Sequence, residues 1–343
     1  MFFRAGLRLY TTVHPPKPPL QLVAELRKRT EVSITKAREA LVAVHNDLDA
    51  AVDWLQKDLV TSGAGKAAKL AGRTAGEGVI SVAVLSSGSD GSESRLGHGG
   101  VRAAMVELNC ETDFVGRNEL FGKLAHDIAH TTAFITEPWD SGDTFKPCRL
   151  DVLNDAPLLS RSNPHIPSTS TVGSAIRDLT AKVGEKIFMR RALSIVQDPP
   201  ARTRPDLGVR LATYVHGSVH VPSQGRIGAL ALLALKSPNL PNLMASTVFF
   251  DDLVKLERSI GRQIVGFDTR TVRSTAGNAE GSALYDQPFA MLAGGSGDDS
   301  VRTVLTSWAR QHGLVGGEET HEDDGGLEVV DFAKWTLGDG VHG

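Results

Sequence analysis

Few side chains in this sequence are placed to break or make a covalent bond. Cys110 could act as a nucleophile, but no sequence pattern supplies the base that would activate it. His126 and His130 stand at i, i+4 on an expected helix, the spacing of a metal pair. No third ligand lies near them in sequence, so a solvated helix face is the plainer reading. Gly65-Lys66 has the look of a phosphate loop. However, Val60 occupies the place of its first glycine, and Ala67 the place of its serine or threonine. No GxGxxG follows a strand, and HExxH, CxxC and GxSxG are absent. The reading is therefore not an enzyme, with no catalytic residue, no resident metal and no cofactor.

The segment that stands out is built for contact instead. Asn109-Cys110-Glu111-Thr112-Asp113-Phe114-Val115 follows an apolar strand and precedes a helix that Asn118 can cap. Phe114 falls on the turn itself. One reading makes it a staple packed on its own helix, with Asp113 a turn residue. The other makes Asp113 and Phe114 an exposed acid–aromatic pair at a rigid tip, shaped to enter a partner. A phenylalanine buried in an interface contributes about 1.5–3 kcal/mol by area, and aromatic anchors often dominate binding.

The elements that must hold this tip follow from periodicity. Three short helices are expected over 20–58. Leu22, Val23 and Leu26 share a face of the first. Ser33 caps the second, which carries Ile34, Ala37, Leu41 and Val44. Asp47 caps the third, which carries Leu48, Ala51, Val52 and Leu55. Residues 59–77, rich in Gly, Ala and Lys, read as a linker. Strands are expected at 79–85 and 101–108 around a polar loop at 86–100, then a helix near 119–135 with Phe121, Leu124, Ala125 and Ile128 inward. Residues 137–170 hold five prolines and no period, which reads as an irregular insertion. Beyond them come a helix near 173–186, a strand at 187–196, a hairpin of 208–221 with 226–235, helices near 245–264 and 300–311, and a last strand at 327–337. The fold class is α+β: a three-helix module, then a core of two related subdomains, 78–170 and 171–343, each an antiparallel sheet flanked by helix.

Composition bounds the partners. The chain has 343 residues, 41% hydrophobic and 22% charged, with a net charge of -3, so there is no basic excess for nucleic acid. Two cysteines make no disulfide framework, and a reducing compartment fits. No stretch reaches the roughly 18 apolar residues of a membrane span. Glu318, Glu319, Glu322, Asp323, Asp324 and Glu328 crowd one Gly-rich stretch, read as a solvated loop. The first 19 residues carry Arg4, Arg8 and Lys17 among Phe2, Phe3, Leu7 and Leu9, with no acid before Glu25. This is the pattern of a mitochondrial transit peptide.

The run VELNCETDFVGRNELFGKLAHDIA resembles the signature of the elongation factor Ts family. Further matches lie in order along the chain. LVAELRKRTEVSITKAREAL with AAVDWLQK is similar to that family's ubiquitin-associated-like (UBA-like) N-terminal module, and AAKLAGRTAGEGVI to its linker. KVGEKIFMRRA, YVHG, GRIGALAL and DQPFAML resemble later motifs. The resemblance covers about residues 20–300. It implies a guanine-nucleotide exchange factor for mitochondrial elongation factor Tu, GDP-bound or nucleotide-free, acting in the mitochondrial matrix. It implies that Thr112, Asp113, Phe114 and Val115 enter the GTPase near its magnesium, with Phe114 as the wedge. It also implies that Leu26, Thr30 and Ile34 contact the GTPase domain, and that Tyr214, His216 and Gly217 contact another domain of the partner. The chain departs from the pattern at Glu31-Val32-Ser33-Ile34-Thr35, where the family often has Gly-Ala-Gly-Met-Met. It has little room for the coiled-coil protrusion that many bacterial members carry before Gln287-Pro288-Phe289. A ubiquitin-type binding adaptor using the three-helix module is the alternative reading.

Overall fold

The computed structural model describes residues 18–30, 32–89, 99–139, 142–160, 170–201, 203–218, 221–274, 281–292, 297–315 and 326–339. The expected leader and most of the acidic stretch lie outside them. The chain forms two compact units. One comprises residues up to Gly72 together with Arg177–Glu185; the other comprises Arg73–Ile176 and Lys186–Gly343.

The first unit holds α1 (Leu20–Thr30), α2 (Ile34–Ala43) and α3 (Leu48–Leu70). Ser33 caps α2 by accepting from the Lys36 amide, and Asp47 caps α3 by accepting from the Ala50 amide. Val23, Leu26, Val32, Ala37, Ala40, Leu41, Ala51 and Leu55 make its core. The third helix is not short. It runs through 23 residues, so the first part of the expected linker is helical. The run of Ala and Lys there favours helix strongly enough to carry it past Gly63 and Gly65.

The second unit begins with the hairpin β1 (Glu77–Ser87) and β2 (Val101–Cys110), then α4 (Asp113–Gly116) and α5 (Glu119–Ile135). Next come β3 (Lys146–Pro147), α6 (Leu150–Asp155) and α7 (Val172–Val183), whose residues from Arg177 onward fall in the other unit. Then follow β4 (Phe188–Gln197), β5 (Leu207–His216), β6 (Gln224–Gly225), β7 (Ile227–Lys236), α8 (Leu240–Ala245), α9 (Thr247–Gly266), α10 (Val301–Gln311) and β8 (Gly326–Thr336). All strand pairs are antiparallel. One sheet has the order β3-β4-β2-β1-β6 and the other β5-β7-β8.

The two sheets share an interior. Alternate residues of β1 and β2, among them Ile80, Val82, Ala103 and Met105, meet Leu211, Leu230 and Leu232 of the other sheet. The opposite face of β7, through Ala229, Ala231, Leu233 and Leu235, packs on Leu253, Leu256, Ile260 and Ile264 of α9. Both β2 and β7 are thus buried on two faces, which is why VRAAMVEL and IGALALLAL read as nearly unbroken apolar runs. Buried Phe121, Leu124, Ala125 and Ile128 line the inner face of α5, which packs on β1 and β2.

Two further expectations need correction. The strand expected at 187–196 in the second subdomain is β4, which pairs with β2 and completes the first sheet. Residues 137–170 are not wholly irregular: Lys146 and Pro147 add an edge to β4, where proline's missing N–H costs nothing, and α6 follows. The helix expected near 245–264 is α9, Thr247–Gly266; the short α8 precedes it unforeseen, and the Ser246 hydroxyl between them caps α9 by accepting from the Phe249 amide.

Candidate functional site

The tip is a single helical turn wedged between a strand and a long helix. Thr112 caps α4, its Oγ1 accepting from the Val115 amide at 3.4 Å. The turn closes through Gly116 N–H to Thr112 O at 3.1 Å and Arg117 N–H to Asp113 O at 3.0 Å. Asn118 then caps α5, accepting from the amides of Leu120 at 2.8 Å and Phe121 at 3.4 Å. Two caps six residues apart leave the turn no slack.

Below the turn lies Gly78 of β1, at φ +148°. A side chain there would meet the Leu108 carbonyl at 2.2 Å, so only glycine lets β1 pass this close to β2. A Cβ added at Gly116 would lie 3.7 Å from the Gly78 carbonyl oxygen, and α4 packs against β1 and β2. The turn therefore sits directly on the sheet.

Phe114 is 83% exposed, the most exposed large hydrophobic side chain among the described residues. The staple reading of this residue does not hold. Asp113 is half-buried and pairs with Arg117 at 3.3 Å. Val115 is half-buried. Cys110 is fully buried, and its thiol donates to the Thr112 carbonyl at 3.2 Å, so it serves the turn and faces no substrate. His126 and His130 are half-buried, and no three potential metal ligands converge among the described residues.

A cleft of about 510 Å³ opens beside the turn. Asp113, Gly116 and Arg117 line one side, and Gly217, Gly225 and Arg226 another. It brings together two segments a hundred residues apart in the sequence. They meet because β6 pairs with β1, Ile80 opposite Gly225. Gln224 locks that pairing: its buried amide donates to Ser81 Oγ at 3.2 Å and to the Gly122 carbonyl at 2.6 Å. Arg226 and Glu77 form an ion pair at 2.8 Å on the rim. Nothing local in the sequence pointed to Gly78, Gln224 or Arg226, because their roles depend on strand pairing.

The remaining expected contacts are placed unevenly. Ile34 is 47% exposed, and Thr30 is half-buried with its hydroxyl bonded to the Leu26 carbonyl at 2.7 Å. Leu26 is fully buried in its own helical core, so it supports that surface without presenting itself. His216 and Gly217 are exposed at the end of β5. Tyr214 faces α9, half-buried.

Comparison with known proteins decides the family. The family profile described as Elongation factor TS matches residues 111–276, starting one residue before the turn. The protein named mitochondrial elongation factor Ts in Coprinopsis cinerea is 52% identical over 333 residues, 97% of this chain and 95% of that one. Its namesake in Laccaria bicolor is 52% identical over 338 residues, 98% and 96% of the two chains. The chain belongs to the elongation factor Ts family. A more distant mitochondrial elongation factor Ts, from Mycosarcoma maydis, is 33% identical over 392 aligned positions, covering 95% of this chain and 86% of that one. Elongation factor Ts acts as the nucleotide exchange factor for elongation factor Tu and catalyses no covalent chemistry. Like the relatives so named, this family member is a protein of the mitochondrial matrix.

Proposed function

We propose that this chain promotes GDP release from mitochondrial elongation factor Tu by inserting the Thr112–Val115 turn beside the partner's magnesium and nucleotide. The observation that carries the reading is Phe114, 83% exposed on a turn capped at both ends and seated on a sheet. A ring carried on a fixed backbone turn leaves only its own side-chain rotamers to be ordered on binding. Phe114 is the wedge, and Asp113 offers its carboxylate to polar groups around the metal. Thr112 and Val115 frame the turn. Loss of Mg²⁺ weakens phosphate binding, so displacement of the groups that hold it suffices.

A second contact runs through Ile34 and Thr30 on the three-helix unit, read as UBA-like, with Leu26 supporting them from beneath. A third, weaker contact uses His216 and Gly217, with Tyr214 behind them. The GDP-bound and nucleotide-free partner are both ligands. Linkage requires that nucleotide weaken the factor's binding by the same ratio that the factor weakens the nucleotide's; a 100-fold effect corresponds to about 2.7 kcal/mol. One inserted ring and a displaced ion are of that size.

Fluorescent-GDP release from purified mitochondrial elongation factor Tu tests the assignment. Phe114→Ala should slow factor-stimulated release at least about tenfold, roughly 1.4 kcal/mol. A release rate equal to that of the unsubstituted protein would sink it.

A further inference from the structure

Glu111 lies between the last residue of β2 and the cap of α4, and its side chain is 19% exposed. Its Oε1 accepts from the Lys186 backbone N–H at 2.7 Å. The Lys186 ammonium donates to the Arg73 carbonyl at 2.7 Å. The Arg73 guanidinium returns to the Glu111 carboxylate at 3.4 Å. Three residues far apart in sequence thus close a ring of polar contacts, and all three belong to the same compact unit.

The two residues that Glu111 holds share a topological property. Arg73 follows Gly72 and Lys186 follows Glu185; each is the first residue of this unit after a stretch of chain assigned to the helical unit. Glu111 therefore anchors the root of the turn to both points of return. A charge-assisted bond to a backbone amide is directional and short, and it acts one residue before the Thr112 cap. Without it the turn loses its tie to the chain entering β4, and its internal hydrogen bonds open more readily.

We infer that Glu111 is a positioning residue for nucleotide exchange, fixing the Thr112–Gly116 turn so that Phe114 meets the partner in one orientation. It touches neither nucleotide nor metal. The inference rests on the Phe114 assignment, so the test carries a readout that needs no partner.

Two measurements use the full chain. In GDP-release titrations, Glu111→Ala should lower the limiting rate at saturating factor about tenfold, with half-saturation moved less than about threefold, since an orientation is lost and the contacting groups are kept. Glu111→Gln retains an acceptor for the Lys186 N–H and should stay within about threefold of the unsubstituted rate. On a Phe114→Ala background, Glu111→Ala should add less than about twofold, the non-additivity of residues acting through one group. Hydrogen exchange of the free protein should show the Val115, Gly116 and Arg117 amides at least about tenfold less protected in Glu111→Ala and near normal in Glu111→Gln.

An unchanged limiting rate with slow Phe114→Ala overturns the positioning role, as does unchanged amide protection or a Glu111→Gln as slow as Glu111→Ala. A normal Phe114→Ala instead overturns the wedge, and the amide protection still reads the anchor. If Glu111→Ala does not fold, Glu111→Asp, whose shorter side chain withdraws the carboxylate from the Lys186 N–H, takes its place: protection and limiting rate both at the unsubstituted level refute the inference.

Discussion

Phe114 stands in solvent, where a large apolar side chain is ordinarily buried. A ring 83% exposed contributes almost nothing to the fold, so Phe114→Ala should leave unfolding by urea within about 0.5 kcal/mol of the unsubstituted protein while exchange collapses. A loss of more than that would mean the ring packs on its own chain. The two cysteines offer a second test of single residues. Cys110 is fully buried at the base of the turn and should react with a thiol reagent only on unfolding. Cys148 is half-buried, and burial pushes its thiol up from the ordinary value, against opposing hydrogen bonds with Ser194 and Thr136. A raised thiol holds less thiolate at a given pH. Its labelling at pH 8 should be slower than that of a small peptide thiol and should climb as pH rises. Equal rates would place it in a more open setting.

At the scale of elements, what was legible in the sequence was what depends on local period and local capping. Ser33, Asp47 and Asn118 cap where their types and positions required, and the inner face of α5 is the expected stripe. What escaped depends on long-range pairing. That β4 belongs beside β2 is set by registers such as Ala103 opposite Ile195, and no window of sequence contains both. The cleft is illegible for the same reason, and so is the ring through Glu111. Glycines show how one residue type acquires opposite meanings. Gly261 of α9 sits where a Cβ would lie 2.7 Å from the Tyr214 Cβ and 3.3 Å from the Thr213 carbonyl carbon. Gly65 of α3 has nothing within 4 Å. Replacing Gly65 with Ala should stabilise its unit by about 0.5–1 kcal/mol, the helix-propensity gain. In Gly261→Ala that gain is overwhelmed, because neither obstacle is the far end of a flexible side chain; a net loss of about 1–3 kcal/mol is expected. Opposite shifts in thermal unfolding would bear out the contrast, and parallel shifts would refute it.

Across the larger unit, the layers run from α5 through two sheets to α9, and charge is used sparingly to bind them. A bulge between Glu107 and Leu108 lets consecutive Arg190 and Arg191 both reach the fully buried Glu107, at 3.3 and 2.6 Å. The same carboxylate accepts from the Gly338 amide at 2.9 Å, and Arg191 lies over the Trp335 ring, so the end of β8 is tied to the first sheet. A second buried pair joins the other layers. Arg210 of β5 grips Glu257 of α9 through two bonds of 2.6 and 2.9 Å and donates to the Ser89 carbonyl beyond β1 at 2.9 Å. Burial pushes the Glu257 carboxyl above the usual carboxylate range, and the Arg210 bonds pull it back only in part. A buried ion pair of this kind adds little net stability, and its value lies in holding three segments in register. Removing one partner should be far worse than removing both. Arg210→Met leaves a buried carboxylate alone and should cost about 3–5 kcal/mol at neutral pH, whereas Arg210→Met with Glu257→Leu should recover most of it. The sign with pH follows from the raised carboxyl. In the single mutant the native state binds its proton more tightly than the unfolded chain does, so stability is greatest in acid and is lost as pH rises through the folded value. The gap in unfolding temperature between Arg210→Met and the unsubstituted protein should accordingly narrow from pH 7 to pH 5. A constant gap would mean that Glu257 finds another cation or water once Arg210 is gone.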